Sequence, residues 1–152
     1  MIAKQAVRPF DLDRWATSRR VRKVAEVLLR FGLSASLLSA VADRFGAWGR
    51  PGTPQVAWGT FSNFLAYTKV LNPWCPPALI PALGWFATAA ELALGVALVV
   101  GFRLRWTAFL TALLTATFAL AMTCATGVHA PLNYSVFAFS ASSLFLAVML
   151  EK

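Results

Sequence analysis

Residues 106–150 read WTAFLTALLTATFALAMTCATGVHAPLNYSVFAFSASSLFLAVML. These 45 residues contain no Lys, Arg, Asp or Glu. A charge-free apolar run of 18 residues or more is the signature of a membrane-spanning helix, and about 20 residues at 1.5 Å each cross the hydrocarbon. This run is long enough for two. Gly127 and Pro131 break it near its middle, as helix-ending residues do, which predicts one span over 106–126 and another over 132–150.

The rest of the chain follows the same pattern. Between Val70 and Phe102 the only charge is Glu91. A further span is expected over about 79–102, after the cluster Pro76, Pro77 and Pro81. The first span is expected over 24–42, between Arg22-Lys23 and Asp43-Arg44. The expected fold is therefore all-α, an integral membrane bundle of four transmembrane helices. Composition agrees, with 59% hydrophobic and 13% charged residues and a mean hydropathy of +0.65. Soluble domains carry about 25% charge, and disordered chains lack such hydrophobicity. Two cysteines in 152 residues also exclude a disulfide scaffold.

The net charge of +8 is a topology signal, because seven of the 14 basic residues fall in the first 23 positions. Residues 1–23 form a basic tail suited to anionic lipid, and 24–152 form the membrane domain. With the N-terminus inside, ten Lys and Arg are cytoplasmic, while Arg44, Arg50 and Lys69 lie outside. The positive-inside rule then puts both termini in the cytoplasm of a bacterial inner-membrane protein. No nucleic-acid partner is expected. Ser18-Arg19-Arg20 imitates a secretion signal, but Arg30 interrupts the apolar run that such a signal needs.

Between the first two spans, Gly46, Gly49, Pro51, Gly52 and Pro54 make an irregular stretch. Trp58, Phe61, Phe64, Leu65 and Tyr67 follow at helical spacing, which predicts a short interfacial helix or a packed aromatic loop.

Two charges stand out inside the membrane. Glu91 lies about 18 Å along its helix from Arg103, near the bilayer midplane, where a carboxylate needs a partner. Arg30, about 10 Å into the first span, is the expected partner; the competing reading pairs it with Glu26 at i, i+4. Asp43, Arg44, Arg105 and His129 complete the candidate polar residues. Cys75 and Cys124 both fall on the outer side, as a redox-active pair, a disulfide or two inert thiols. No CxxC, His cluster or regular ligand spacing is present, so no metal or intrinsic cofactor is expected.

The motifs Leu29-Arg30-Phe31-Gly32-Leu33, Ala42-Asp43-Arg44-Phe45, Ala87-Thr88-Ala89-Ala90-Glu91-Leu92-Ala93-Leu94-Gly95 and Gly101-Phe102-Arg103-Leu104-Arg105-Trp106-Thr107-Ala108 resemble those of the DoxX family of small four-helix membrane proteins. The resemblance covers residues 24–150, and Arg30, Arg44, Glu91 and Arg105 match motif positions. It implies a redox-associated subunit of a membrane oxidoreductase assembly, of the thiosulfate:quinone type, with a quinone among the helices and electrons supplied by a partner subunit. The competing function is a non-catalytic scaffold or small-solute carrier. For a carrier, the small residues of spans one, three and four would favour close packing and a homo-oligomer.

Overall fold

The structure, a computed structural model, describes residues 18–150. Every regular element among them is helical: α1 (Arg19–Arg44), α2 (Phe61–Leu71), a 3₁₀ turn (Pro77–Leu79), α3 (Ile80–Val100), α4 (Leu104–Thr126), α5 (His129–Asn133) and α6 (Val136–Met149). Three helical stretches, Arg19–Arg44, Pro77–Val100 and Leu104–Thr126, are long and apolar enough to cross a membrane. The fourth apolar helix, α6, is shorter. The chain is thus a helical, multi-pass membrane protein by length and composition.

α1 begins earlier than the hydropathy boundary at residue 24. Ser18 caps it, its hydroxyl accepting the Val21 N–H at 3.3 Å, so residues 19–23 belong to the helix. The remainder of the expected tail, residues 1–17, lies outside the described residues. At the other end the helix closes in a Schellman turn. The Gly46 N–H bonds to Asp43 O at 3.0 Å and the Ala47 N–H to Ala42 O at 3.1 Å. That turn requires a left-handed residue, and Gly46 supplies it at φ +77.

The segment expected to be interfacial does contain a helix, α2, capped by the Thr60 hydroxyl on the Asn63 N–H at 3.3 Å. The last expected span, 132–150, is interrupted. α5 ends at Asn133, and Ser135 sits at φ +54 before α6 starts. Ser135 itself takes the left-handed conformation that separates the two helices, an uncommon one for a residue other than glycine. Two bonds tie the junction: the Ser135 N–H donates to Leu132 O at 3.0 Å, and Ser135 O accepts from the Phe139 N–H at 2.9 Å.

α1 packs chiefly on α3, and α4 on α6. Small side chains allow the close approach. Thr107, Thr111, Thr115 and Ala108, Ala112, Ala119 form the buried stripe of α4. Its hydroxyls at 111 and 115 donate to the i−4 carbonyls, and the Ser140 hydroxyl crosses from α6 to Ala112 O at 2.8 Å. Leu33, Leu37, Leu98, Ala108, Leu146 and Ala147 form the core, drawn from α1, α3, α4 and α6. Leu28, Leu113, Leu120 and Phe145 point outward. Such an apolar exterior suits lipid.

Candidate functional site: a buried ion pair in an apolar cavity

The register of α1 on α3 decides which charges meet. The Arg30 Nε and Nη2 donate to Leu98 O and Val99 O, each at 2.6 Å. The Ser34 hydroxyl donates to Gly95 O at 2.9 Å. A Cβ on Gly95 would lie 2.9 Å from Leu38 Cδ2, so glycine is what lets the helices meet there. These contacts set the helices antiparallel with Glu91 level with about residue 38 of α1.

From that level Arg30 is about 12 Å away along the axis and Arg44 about 9 Å. Direction settles the choice. Helical side chains lean toward the N-terminus of their own helix. Arg44 therefore leans back toward Glu91 and Glu91 leans up toward Arg44, whereas Arg30 leans away. Arg44, and not Arg30, is the partner of Glu91, with Nη2 at 2.8 and 2.6 Å from the two carboxylate oxygens. Glu26 does not hold Arg30 either, because Lys23 takes it at 2.9 Å. Arg30 is instead a side-chain cap on the last carbonyls of α3, where a cation meets the negative end of the helix.

Arg44 is 2% exposed and Glu91 3%. A second arm of the guanidinium, Nη1, donates to the Thr88 hydroxyl at 2.8 Å. That hydroxyl in turn donates to Gly84 O at 2.8 Å. The guanidinium carbon lies 3.7 Å from the centroid of the Phe64 ring and 5.4 Å from that of Trp58. The Nε–H of Arg44 is buried without an acceptor. Next to it, Asp43 is 5% exposed and accepts the Trp58 N–H on Oδ2 at 2.8 Å.

This cluster lies along a cavity of about 710 Å³ bounded by α1, α2, α3, α4 and α6. The volume falls in the range of sites for drug-sized organic ligands. Its lining is mostly apolar and aromatic, including Phe64, Phe86, Phe118, Met122 and Phe139. Arg44 and Glu91 are its charged members. Asn63, Tyr67 and Tyr134 add neutral polar groups. Burial, and then the neighbouring Tyr134, push Tyr67 ionisation above the usual phenol range. Tyr67 is therefore a neutral hydroxyl, able to donate.

The other candidate residues do not join the cluster. Arg105 is exposed in the first turn of α4, and His129 is exposed at the start of α5, its Nδ1 3.2 Å from Asn133 Nδ2. Cys75 and Cys124 are free thiols, so no disulfide links them. Thr88, Phe64, Trp58 and Tyr67 were not read as site residues in sequence. Thr88 had a signal, since it stands three residues before Glu91 on the same helical face. The aromatics of α2 were visible only as an interfacial pattern. Comparison of the chain with protein-family models, curated proteins and solved structures finds no match.

Proposed function

We propose that the chain is a DoxX-like protein of the bacterial cytoplasmic membrane. It crosses the bilayer four times with both termini inside and serves as a redox-associated subunit of a membrane oxidoreductase assembly. The fourth crossing is α5 and α6 taken together, roughly 20 residues and about 30 Å.

One observation carries the functional reading: an apolar cavity of about 710 Å³ holds a buried Arg44–Glu91 pair whose Nε–H has no acceptor. A quinone suits that combination. Its flat ring and apolar tail match the aromatic walls, and a carbonyl oxygen matches the Tyr67 O–H as donor. Bound there, a quinone would supply two-electron, two-proton redox chemistry, with the electrons coming from a partner subunit. The residues of this chain hold and orient the ring. Arg44 presents a fixed positive charge, Glu91 keeps that arginine in place, and the apolar walls exclude water.

The test is purification in native lipid, followed by extraction and chromatographic assay of bound quinone. Wild-type protein should retain quinone, and Glu91→Gln and Tyr67→Phe should retain less. Protein that folds and carries none would defeat the proposal. Crosslinking in membranes addresses the assembly: a reproducible second subunit supports it, while homodimers with solute flux favour a carrier.

A further inference from the structure

The first helix runs on past the rest of the bundle. Its register on α3, set by Ser34 at Gly95 O and by Arg30 at Leu98 O and Val99 O, brings Arg30 to the last turn of α3, which ends at Val100. A Cβ on Gly101, in the turn that follows, would lie 3.2 Å from the Arg30 guanidinium carbon. The next helix, α4, starts directly after that turn at Leu104. On the far side, the Ser140 bond to Ala112 O sets α6 antiparallel to α4 and places Leu150 about level with residue 102. So α3, α4 and α6 all stop near the level of Arg30. Residues 19–28 of the unbroken α1 project beyond them, ten residues or about 15 Å.

The stripe of α1 that is buried against the bundle, Ser34, Leu37 and Val41, continues backward at helical spacing through Arg30 to Glu26, Lys23 and Arg19. Beside α3 the stripe is small or apolar; past the end of α3 it is charged, and it overlooks the α3–α4 turn. That turn carries Arg103, with Arg105 just after it, and both are exposed. Arg19, Arg20 and Arg22 are exposed on the projecting segment. Lys23 is paired with Glu26 at 2.9 Å, and Glu26 is the one acidic side chain at this end among the described residues. Two positive walls thus meet at a step. Like charges gathered in this way repel until an anion joins them. The opposite face of α1 is apolar, with Val24 58% and Leu28 68% exposed. Phe102 and Trp106 flank the turn arginines and are exposed as well. Cations interleaved with exposed aliphatic and indole side chains are the pattern of a lipid headgroup boundary.

We infer that this step is a site for the phosphate of an anionic phospholipid. Arg19 on α1 and Arg103 on the α3–α4 turn form its two basic walls, and Leu28, Phe102 and Trp106 meet the acyl chains. The apolar neighbours select a lipid, because a soluble anion has nothing to place against them. The inference rests on the membrane-spanning helices and not on quinone binding, whose cavity lies toward the other end of α3, at residues 83–91.

Titration of the full, delipidated chain with phosphatidylglycerol and with phosphatidylcholine, read by native mass spectrometry, tests it. The expected result is a saturable phosphatidylglycerol adduct, bound about tenfold or more tightly than phosphatidylcholine. Arg19→Gln and Arg103→Gln should each weaken that adduct about fivefold, although they stand on different elements. Arg8→Gln makes the same charge change in the preceding tail and should leave the adduct within about twofold. Equal losses at Arg8, Arg19 and Arg103 would mean diffuse attraction and overturn the site, as would equal binding of the two lipids. Displacement of the adduct by an equal concentration of inorganic phosphate would reassign the step to soluble anions and overturn the lipid assignment. An acidic polypeptide that purifies with the chain and blocks the adduct would do the same. The comparison of the two lipids uses the unaltered protein, so a variant that fails to fold does not shield the inference.

Discussion

Breaking the Arg44–Glu91 pair from either side should cost far more than replacing both residues together. Arg44→Met removes two contacts to Glu91 and one to Thr88, and it strips Phe64 of a cation 3.7 Å from its ring. It also leaves a carboxylate 3% exposed with no counter-charge. Losing one member of a buried pair costs about 3–5 kcal/mol. The ring contact adds about 1–2 kcal/mol at a desolvated position. Glu91→Met should fall in the same 3–5 kcal/mol range, since it abandons a buried guanidinium. The double variant keeps apolar volume and carries no stranded charge, so it should lie within about 2 kcal/mol of wild type. The coupling energy then exceeds about 3 kcal/mol, well beyond the non-additivity of distant sites. Reversible unfolding in mixed detergent micelles, followed by helical circular dichroism, gives all four corners of the cycle. If the single variants add to the double within about 0.5 kcal/mol, the two side chains are not a buried pair. The double variant has a second use, because it should be folded yet poor in quinone, which separates binding from stability.

Three further outcomes follow from the same geometry. Arg30→Met should destabilise by about 1–3 kcal/mol by uncapping Leu98 O and Val99 O, and hydrogen exchange should quicken at the end of α3, whereas Arg30→Lys should recover part of the loss. Gly95→Ala puts a methyl 2.9 Å from Leu38 and should cost about 1–3 kcal/mol by overpacking, read in the same unfolding assay; a neutral result would mean that α1 and α3 are not held that closely. Cys75 and Cys124 are both free and at least partly exposed, so a membrane-impermeant maleimide applied from the periplasm should label them without prior reduction. Labelling only from the cytoplasmic side would reverse the proposed orientation.

The membrane character was legible because it depends on where charges are absent, and 106–150 is unambiguous on that point. The four apolar segments, the break near Gly127 and the α2 helix all follow from periodicity and turn chemistry. The fourth segment reads as continuous in hydropathy because Asn133, Tyr134 and Ser135 barely lower it, yet those residues carry the left-handed break at Ser135. Glu91 was legible as a site residue from cost alone, since a midplane carboxylate needs a reason. Its partner was not. Depth counted from the helix ends favours Arg30, and only the backward lean of side chains along each helix favours Arg44. That lean is a general rule, so the missing ingredient was the antiparallel register fixed by Ser34 and Gly95.

The loop after α1 explains how charged residues at a helix end become a buried site. A last-turn Asp-Arg pair would ordinarily sit in the headgroups, with Asp43 poorly placed near the negative end of the helix dipole. Here the left-handed turn at Gly46 sends the chain back over that end, and Trp58 closes on it twice. Its backbone N–H binds Asp43, and its ring lies over Arg44. One residue thus compensates the carboxylate and lies beside the guanidinium. A scaffold that needed only helix pairing would be served by Arg30, Ser34 and Gly95, which lock α1 on α3 without stranding any charge. Keeping Arg44 Nε and Asp43 Oδ1 buried and unsatisfied costs stability that such a scaffold has no use for. On the proposed quinone-binding reading, that cost belongs to the site and not to the helix contact.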